Sequence, residues 1–191
     1  MSYDVDDGKS LIGFLTLLSA PDDGGYLGAL LVTDKGGIPA EFRCTLPVKP
    51  NAIQKPLYGE KLEPYIGVEL CGLPLLQSIS NTPSLIIVNK EYLLKIRENI
   101  SYPLVFIGRA GEVIEVEQAD GSGKGLSRFR VTCNTGRFQP IVCSPHPDFE
   151  QDQEMSMNFI GSVFSHLDLL EPFERIERAI EVLREKEQRF Q

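Results

Sequence analysis

The chain has 191 residues, 42% of them apolar, and a formal net charge of −8, enough for one sizeable core and slightly long for the commonest domain size. No apolar run approaches the roughly 18 residues that span a bilayer. The opening "MSYDVDDGKS" is acidic where a secretory signal would be basic, so neither membrane insertion nor export is expected and the expected location is cytoplasmic. The net charge repels nucleic-acid phosphates at long range, although a local basic patch can outweigh it. From Pro145 to Gln191 there are eleven acidic and five basic side chains, so most of the excess lies in the C-terminal quarter.

The run "LIGFLTLLSA" (11 to 20) followed by "PDDGG" predicts a buried strand and a turn. "YLGALLVTD" (26 to 34), closed by "KGG", predicts a second strand. In "IPAEFRCTLPV", Ile38, Ala40, Phe42 and Cys44 alternate with Glu41, Arg43 and Thr45, the period of a third. The short loops make these an antiparallel meander whose first two strands are too apolar to face water and should be covered on both sides.

From Lys61 the period becomes helical, with Leu62, Tyr65, Ile66, Leu70 and Leu73 on one face and Pro74 marking an end or kink. "LIIVN" (85 to 89) predicts a fourth strand, "KEYLLKIREN" a short helix carrying Leu93, Leu94 and Ile96, and "PLVFIG" (103 to 108) a fifth strand. The fold class is therefore α/β (α+β), a mixed sheet that opens with a three-stranded meander and is flanked by helices.

Residues 112 to 118 and 127 to 133 predict a hairpin, with Glu115 and Glu117 facing Arg128 and Arg130 across its outer side. Its loop holds Gly-Ser-Gly-Lys-Gly (121 to 125). A phosphate-binding loop needs a first glycine where Gln118 stands, a hydroxyl residue where Gly125 stands, and a helix after it, so a bend between strands is the better reading. Gly8-Lys9-Ser10 fails the same test at Tyr3. "RFQPIVCS" adds a last strand, and "PHPDFEQDQE" is an acidic connector. A helix follows in "MSMNFIGSVFSHL", and a clearer one in "EPFERIERAIEVLREKEQRF", with Phe173, Ile176, Ile180 and Leu183 on one stripe and Glu/Arg pairs four residues apart. Residues 1–144 thus form the sheet domain. Residues 145–191 form a connector and a C-terminal helical appendix, packed on that domain or on a partner.

The four cysteines, Cys44, Cys71, Cys133 and Cys143, are few and mostly flanked by apolar residues, as reduced buried thiols are. Cys133, Cys143 and His146 are the weak candidates for a metal site, and no second close-spaced pair completes them. No cofactor is expected. The segment "GIPAEFRCTLPVKPNAIQKPLYGEKL" sets Arg43, Lys49, Gln54, Lys55 and Tyr58 among four prolines, a rigid loop suited to recognition.

The order meander, helix, strand, helix, strand resembles the ribonuclease H-like superfold, and "YIGVELCGLPLLQSISNTPSLIIVN" is faintly similar to the helix-to-strand passage of endonuclease V-type nucleases. The resemblance covers roughly residues 11 to 108. It implies a sheet of that topology and, in active members, carboxylates at strand ends and on a helix that hold two magnesium ions about the scissile phosphate. The first strand here has no Asp or Glu and the fourth ends in Asn89; Asp34, Glu41 and Glu69 are the carboxylates left to form a set.

The sequence therefore carries two functional expectations. The preferred one is a non-enzymatic interaction or scaffold subunit of a cytoplasmic assembly, docking a protein partner or a copy of itself through the proline-rich loop and through Phe173, Ile176 and Ile180. The alternative is a divalent-metal-dependent nuclease or phosphoesterase using Asp34, Glu41 and Glu69, with Arg43, Lys49 and Lys55 offered to a nucleic-acid backbone.

Overall fold

The computed structural model describes residues 10–20, 25–111 and 127–190. Seven strands form one sheet: β1 (Leu11–Ser19), β2 (Tyr26–Asp34), β3 (Pro39–Cys44), β4 (Leu85–Val88), β5 (Leu104–Arg109), β6 (Phe129–Val131) and β7 (Ile141–Pro145). Their spatial order is β3-β2-β1-β4-β5-β7-β6. The three-stranded meander is antiparallel, β4 and β5 add parallel to β1, and β7 and β6 close the far side antiparallel. An antiparallel 3-2-1 meander continued by parallel strands 4 and 5 is the ribonuclease H-like arrangement.

The apolar runs dictate the middle of this sheet. β1 and β2 are buried along nearly their whole length, because both of their faces are covered. On one face Ile12, Phe14, Leu27, Ala29, Leu31, Leu85, Ile87, Val105 and Ile107 meet two C-terminal helices, α4 (Gln151–Val163) and α5 (Glu171–Lys186). On the other, Leu15, Leu30, Val32, Ile86, Val88, Leu104 and Phe106 meet the segments between β3 and β5.

Those segments depart from the simple helices that the periodicity predicts. After α1 (Gln54–Tyr58) and a 3-10 turn (Gly59–Lys61), α2 (Leu62–Tyr65) runs through π turns (Ile66–Gly72) into α3 (Leu73–Ser78). Leu62, Ile66 and Leu73 are buried as expected, whereas Tyr65 and Leu70, expected on the same stripe, are exposed and Cys71 is buried in place of Leu70. The wider i→i+5 turns over Ile66–Gly72 delay the inward face by about one residue, which moves burial from Leu70 to Cys71. Pro74 has no N–H to close on the Leu70 carbonyl and its ring crowds that oxygen, so the regular ladder fails just upstream of it. The widened turn lies close on β2: a Cβ built at Gly28 would sit 2.5 Å from Cys71 Cβ. "KEYLLKIREN" forms a nine-residue 3-10 helix (Glu91–Asn99) that buries Leu93, Leu94 and Ile96 as expected.

At the C-terminal end, the acidic connector is shorter than predicted, since α4 begins at Gln151 within it. Asp152 enters the interior at 0% exposure because Arg97 meets its charge, Nε to Oδ2 at 2.6 Å and Nη2 to Oδ1 at 3.2 Å. The α5 stripe is spent on the domain's own core. Phe173 packs edge-on to Phe14 at 5.7 Å, and Ile176 and Ile180 are fully buried. These three residues, expected as partner-binding, are therefore interior packing and present nothing for a partner to touch. Glu171–Arg175 and Glu174–Arg178 pair as expected, but Arg189 lies beyond the helix end and pairs with Glu187.

Of the expected hairpin, 112 to 118 and the Gly-Ser-Gly-Lys-Gly loop lie outside the described residues, as do Gly8 and Lys9. Its second arm supplies β6, and Arg128 pairs with Glu91 at 2.7 Å. No helix among the described residues is long and apolar enough to cross a membrane.

Candidate functional site

In a sheet of this topology the parallel strands β1 and β4 end side by side, and their carboxyl ends are where site residues would gather. Leu15 is level with Val88, so Thr16 stands beside Asn89. The Thr16 hydroxyl, on a buried side chain, donates to Asn89 Oδ1 at 2.7 Å. Both members of the pair are uncharged. Just beyond, Glu63 Oε1 accepts from Lys90 Nζ at 2.8 Å and from the Tyr92 hydroxyl at 2.7 Å. Burial raises the Glu63 carboxyl, and the bonds from Lys90 and Tyr92 outweigh it and leave it below its ordinary value. Burial, with the Glu63 bond next, pushes the Tyr92 phenol up. Among the described residues, this carboxylate is matched by the Lys90 ammonium.

The three carboxylates singled out in the sequence do not converge on this place. Asp34 is level with Leu11, at the opposite end of β1. Its Oδ1 accepts the Ile38 N–H at 2.8 Å and its carbonyl accepts the Gly37 N–H at 3.0 Å, which is the work of a turn former. Glu41 lies on β3 and is bound by the Arg43 guanidinium, by the Ser80 and Asn81 N–H groups at 3.1 and 2.9 Å, and by Asn81 Nδ2 at 2.9 Å. Glu69 is exposed on the π turns. Among the described residues no three His, Cys, Asp or Glu side chains are placed to hold a metal ion. The described residues do not fit the two-magnesium centre expected from the resemblance to ribonuclease H-like nucleases.

Glu41 instead ties the edge strand to the loop before β4. Burial pushes its carboxyl up, but the bonds from Arg43, Asn81 and Ser80 prevail and bring it down to about 2. A carboxylate whose folded value is depressed stabilises the fold above its unfolded value and loses that contribution as pH falls. Stability should therefore drop between about pH 4.5 and about 2, and Glu41→Gln should flatten that part of the curve. Urea midpoints of both proteins across that range check it; parallel curves would contradict it.

The cysteine and histidine candidates are separate. Cys143 is fully buried and burial pushes its thiol up to about 12. The Cys133 thiol lies 3.0 Å from the Thr135 hydroxyl, which brings it down to about 7. His146 Nε2 faces Glu98 Oε1 at 3.3 Å, and its Nδ1 accepts the Asp148 N–H at 3.2 Å. Both cysteines belong to the core under α4 and α5, so the three weak metal candidates are two packing thiols and a paired imidazole.

The proline-punctuated loop behaves differently. Every residue from Asn51 to Lys61 is exposed, and α1 buries no side chain. Gln54 Oε1 accepts the Asn51 N–H at 3.0 Å and Asn51 Oδ1 accepts the Ile53 and Gln54 N–H groups, so α1 is fixed by its own polar residues. Its apolar side chains remain outside: Ile53 is 69% and Leu57 75% exposed, and Tyr58 and Tyr65 face each other at 5.3 Å. Lys49 and Lys55 are exposed beside them, whereas Arg43 is held by Glu41 and Ser80. Tyr58, Gln54, Lys49 and Lys55 thus share one flank, and Arg43 belongs to the β3 cluster. Sequence reasoning missed Thr16 and Glu63. Partners of Glu63 stand 27 and 29 residues away, and no local pattern marks such a contact.

No family model matches the chain, and no curated protein matches it. Among solved structures it is similar to endonuclease V from Bacillus subtilis, with 11% identity and a TM-score of 0.47, over 78% of this chain and 70% of that one. It is likewise similar to Ciona intestinalis endonuclease V in complex with a DNA containing inosine, with 10% identity and a TM-score of 0.47, over 91% and 86%. Marinitoga piezophila Argonaute with a guide RNA matches with 12% identity and a TM-score of 0.35, over 73% of this chain and 23% of that one. All three lie below a TM-score of 0.5 and bear on neither activity nor site residues here.

Proposed function

We propose that this chain acts by binding rather than by cleavage: a non-enzymatic interaction domain on a ribonuclease H-like sheet, docking a protein partner through the flank from Leu46 to Leu70. The observation that carries this reading is that flank's exposed apolar surface. Leu46, Ile53, Leu57, Tyr58, Tyr65 and Leu70 are exposed together on one run of chain. Monomeric proteins rarely leave contiguous apolar patches uncovered, and aromatic residues are enriched where partners dock. Lys49, Lys55 and Lys61 and also Glu60 and Glu69 are exposed on the same run, so charges of both signs rim the patch, as the polar rim of a docking surface does.

Leu57→Asp tests this reading. The side chain is 75% exposed, so the substitution should leave unfolding within about 0.5 kcal/mol of the parent. It should abolish capture of the partner retained by the parent chain from extracts of its native cell. Equal capture by both proteins would overturn the assignment.

The second reading, a divalent-metal-dependent nuclease or phosphoesterase, is favoured by strand order and direction. It would need carboxylates from outside the described residues, since Thr16 and Asn89 stand at the strand ends and Glu63 is already paired.

A further inference from the structure

The outer edge of β3 carries an inference that does not depend on the flank. β3 has β2 on one side and, among the described residues, no strand on the other. The Thr45 N–H donates to the Gly28 carbonyl at 2.9 Å, which makes Gly28 and Thr45 a hydrogen-bonded pair of the ladder. Such pairs alternate along antiparallel strands. The next along the Ala29–Cys44, Leu30–Arg43, Leu31–Phe42 register are therefore Leu30–Arg43 and Val32–Glu41. The backbone of Phe42 and Cys44 consequently points away from β2. Among the described residues no hydrogen bond reaches either of those outward groups. The Phe42 side chain, 38% exposed, adds an apolar surface beside this edge.

We propose that β3 pairs antiparallel with β3 of a second copy of this chain, with Phe42 opposite Phe42 across the two-fold axis. The charges select that register. Pairings that keep the outward residues opposite one another can be centred on residue 41, 42 or 43. Centring on Glu41 sets two carboxylates face to face, and centring on Arg43 sets two guanidinium groups face to face. Centring on Phe42 places each Glu41 opposite Arg43 of the other copy, on the face of the sheet where side chains directly across from each other interact. Arg43 uses Nε on Glu41 and Nη2 on Ser80 Oγ, so among the described residues its Nη1 is left to turn toward the second copy; Glu41 already accepts from Arg43, Ser80 and Asn81 of its own chain, so the term between copies is charge attraction rather than a new bond. A two-fold interface needs just such self-complementarity. Pro39, and the shift in register between Val32 and Thr33, confine the paired stretch to Ala40–Cys44. That length makes a modest, concentration-dependent dimer.

Sedimentation velocity of the full chain from micromolar to submillimolar concentration, with Phe42→Pro alongside, tests the proposal. The Phe42 N–H faces outward, so proline there spares the β2 ladder and removes an intermolecular donor. The expected result is a reversible dimer in the parent and, in a variant that still melts cooperatively, association weakened by about tenfold or more. A parent that stays monomeric at every concentration, or a dimer that Phe42→Pro leaves unchanged, overturns it. Should the variant fail to fold, hydrogen exchange of the parent decides. Slowing of the Phe42 and Cys44 amides as concentration rises supports the pairing, and unchanged exchange overturns it.

Discussion

Replacing Asp152 with alanine should cost about 3–5 kcal/mol of stability. The carboxylate is wholly buried and accepts two bonds from Arg97, with the Leu104 N–H at 3.3 Å as a third donor. Arg97 in turn donates to the Ile100 carbonyl at 2.7 Å and lies 4.1 Å over the Phe149 ring, so it cannot swing out to water without leaving those contacts. Removing Asp152 strands a guanidinium in the interior, and the penalty is that of an uncompensated buried charge rather than of one lost bond. The pair also joins the 3-10 helix before β5 to the first turn of α4, elements on opposite faces of the sheet. Urea denaturation measures the loss. Replacing both residues with apolar ones of similar size, Arg97→Met with Asp152→Leu, should recover much of it, since charge and countercharge leave together. A loss under about 1 kcal/mol for Asp152→Ala, the level of a solvated surface pair, would contradict this account.

Ile176→Glu should be comparably damaging and should act on folding alone. Ile176 and Ile180 are fully buried among residues from β1, β2 and α4. A truncation such as Ile176→Ala there costs about 2–5 kcal/mol, and burying a carboxylate in the same place costs more. The thermal midpoint should fall steeply at every protein concentration. If instead the midpoint held and the molecular mass changed, α5 would be an interface helix and its burial in this domain would be wrong.

These two positions also show where sequence reading succeeds and where it stops. The α5 stripe was legible because Phe173, Ile176, Ile180 and Leu183 repeat at helical spacing, but periodicity says only that a face is covered. Whether the domain itself or a partner covers it depends on the second apolar face that β1 and β2 offer, a matter of three-dimensional supply. The strands were legible because runs such as "YLGALLVTD" are too apolar for any surface, and β2 falls on the predicted residues 26 to 34. The α2–α3 passage was legible as helix but not in phase, because a single wider turn at Ile66–Gly72 moves burial from Leu70 to Cys71. Asp152 read as part of a solvated acidic connector, since nothing near it in sequence announces an arginine 55 residues away. The candidate site was legible chiefly through what stands at Asn89. Asp34, Glu41 and Glu69 stand out in the sequence by charge alone, and each is explained by its local surroundings: a turn, a loop clamp and a solvated helix face.

The central claim is that the carboxyl ends of β1 and β4 carry a neutral hydrogen-bonded pair where metal-dependent cleavage would require carboxylates. Incubating the purified full chain with end-labelled single- and double-stranded DNA and RNA, in excess magnesium or manganese, tests it most directly. The account predicts no strand scission above the protein-free control with either ion. Cleavage that needs the metal, stops on chelation, and is lost in Asn89→Ala or Thr16→Ala proteins that remain folded would contradict it.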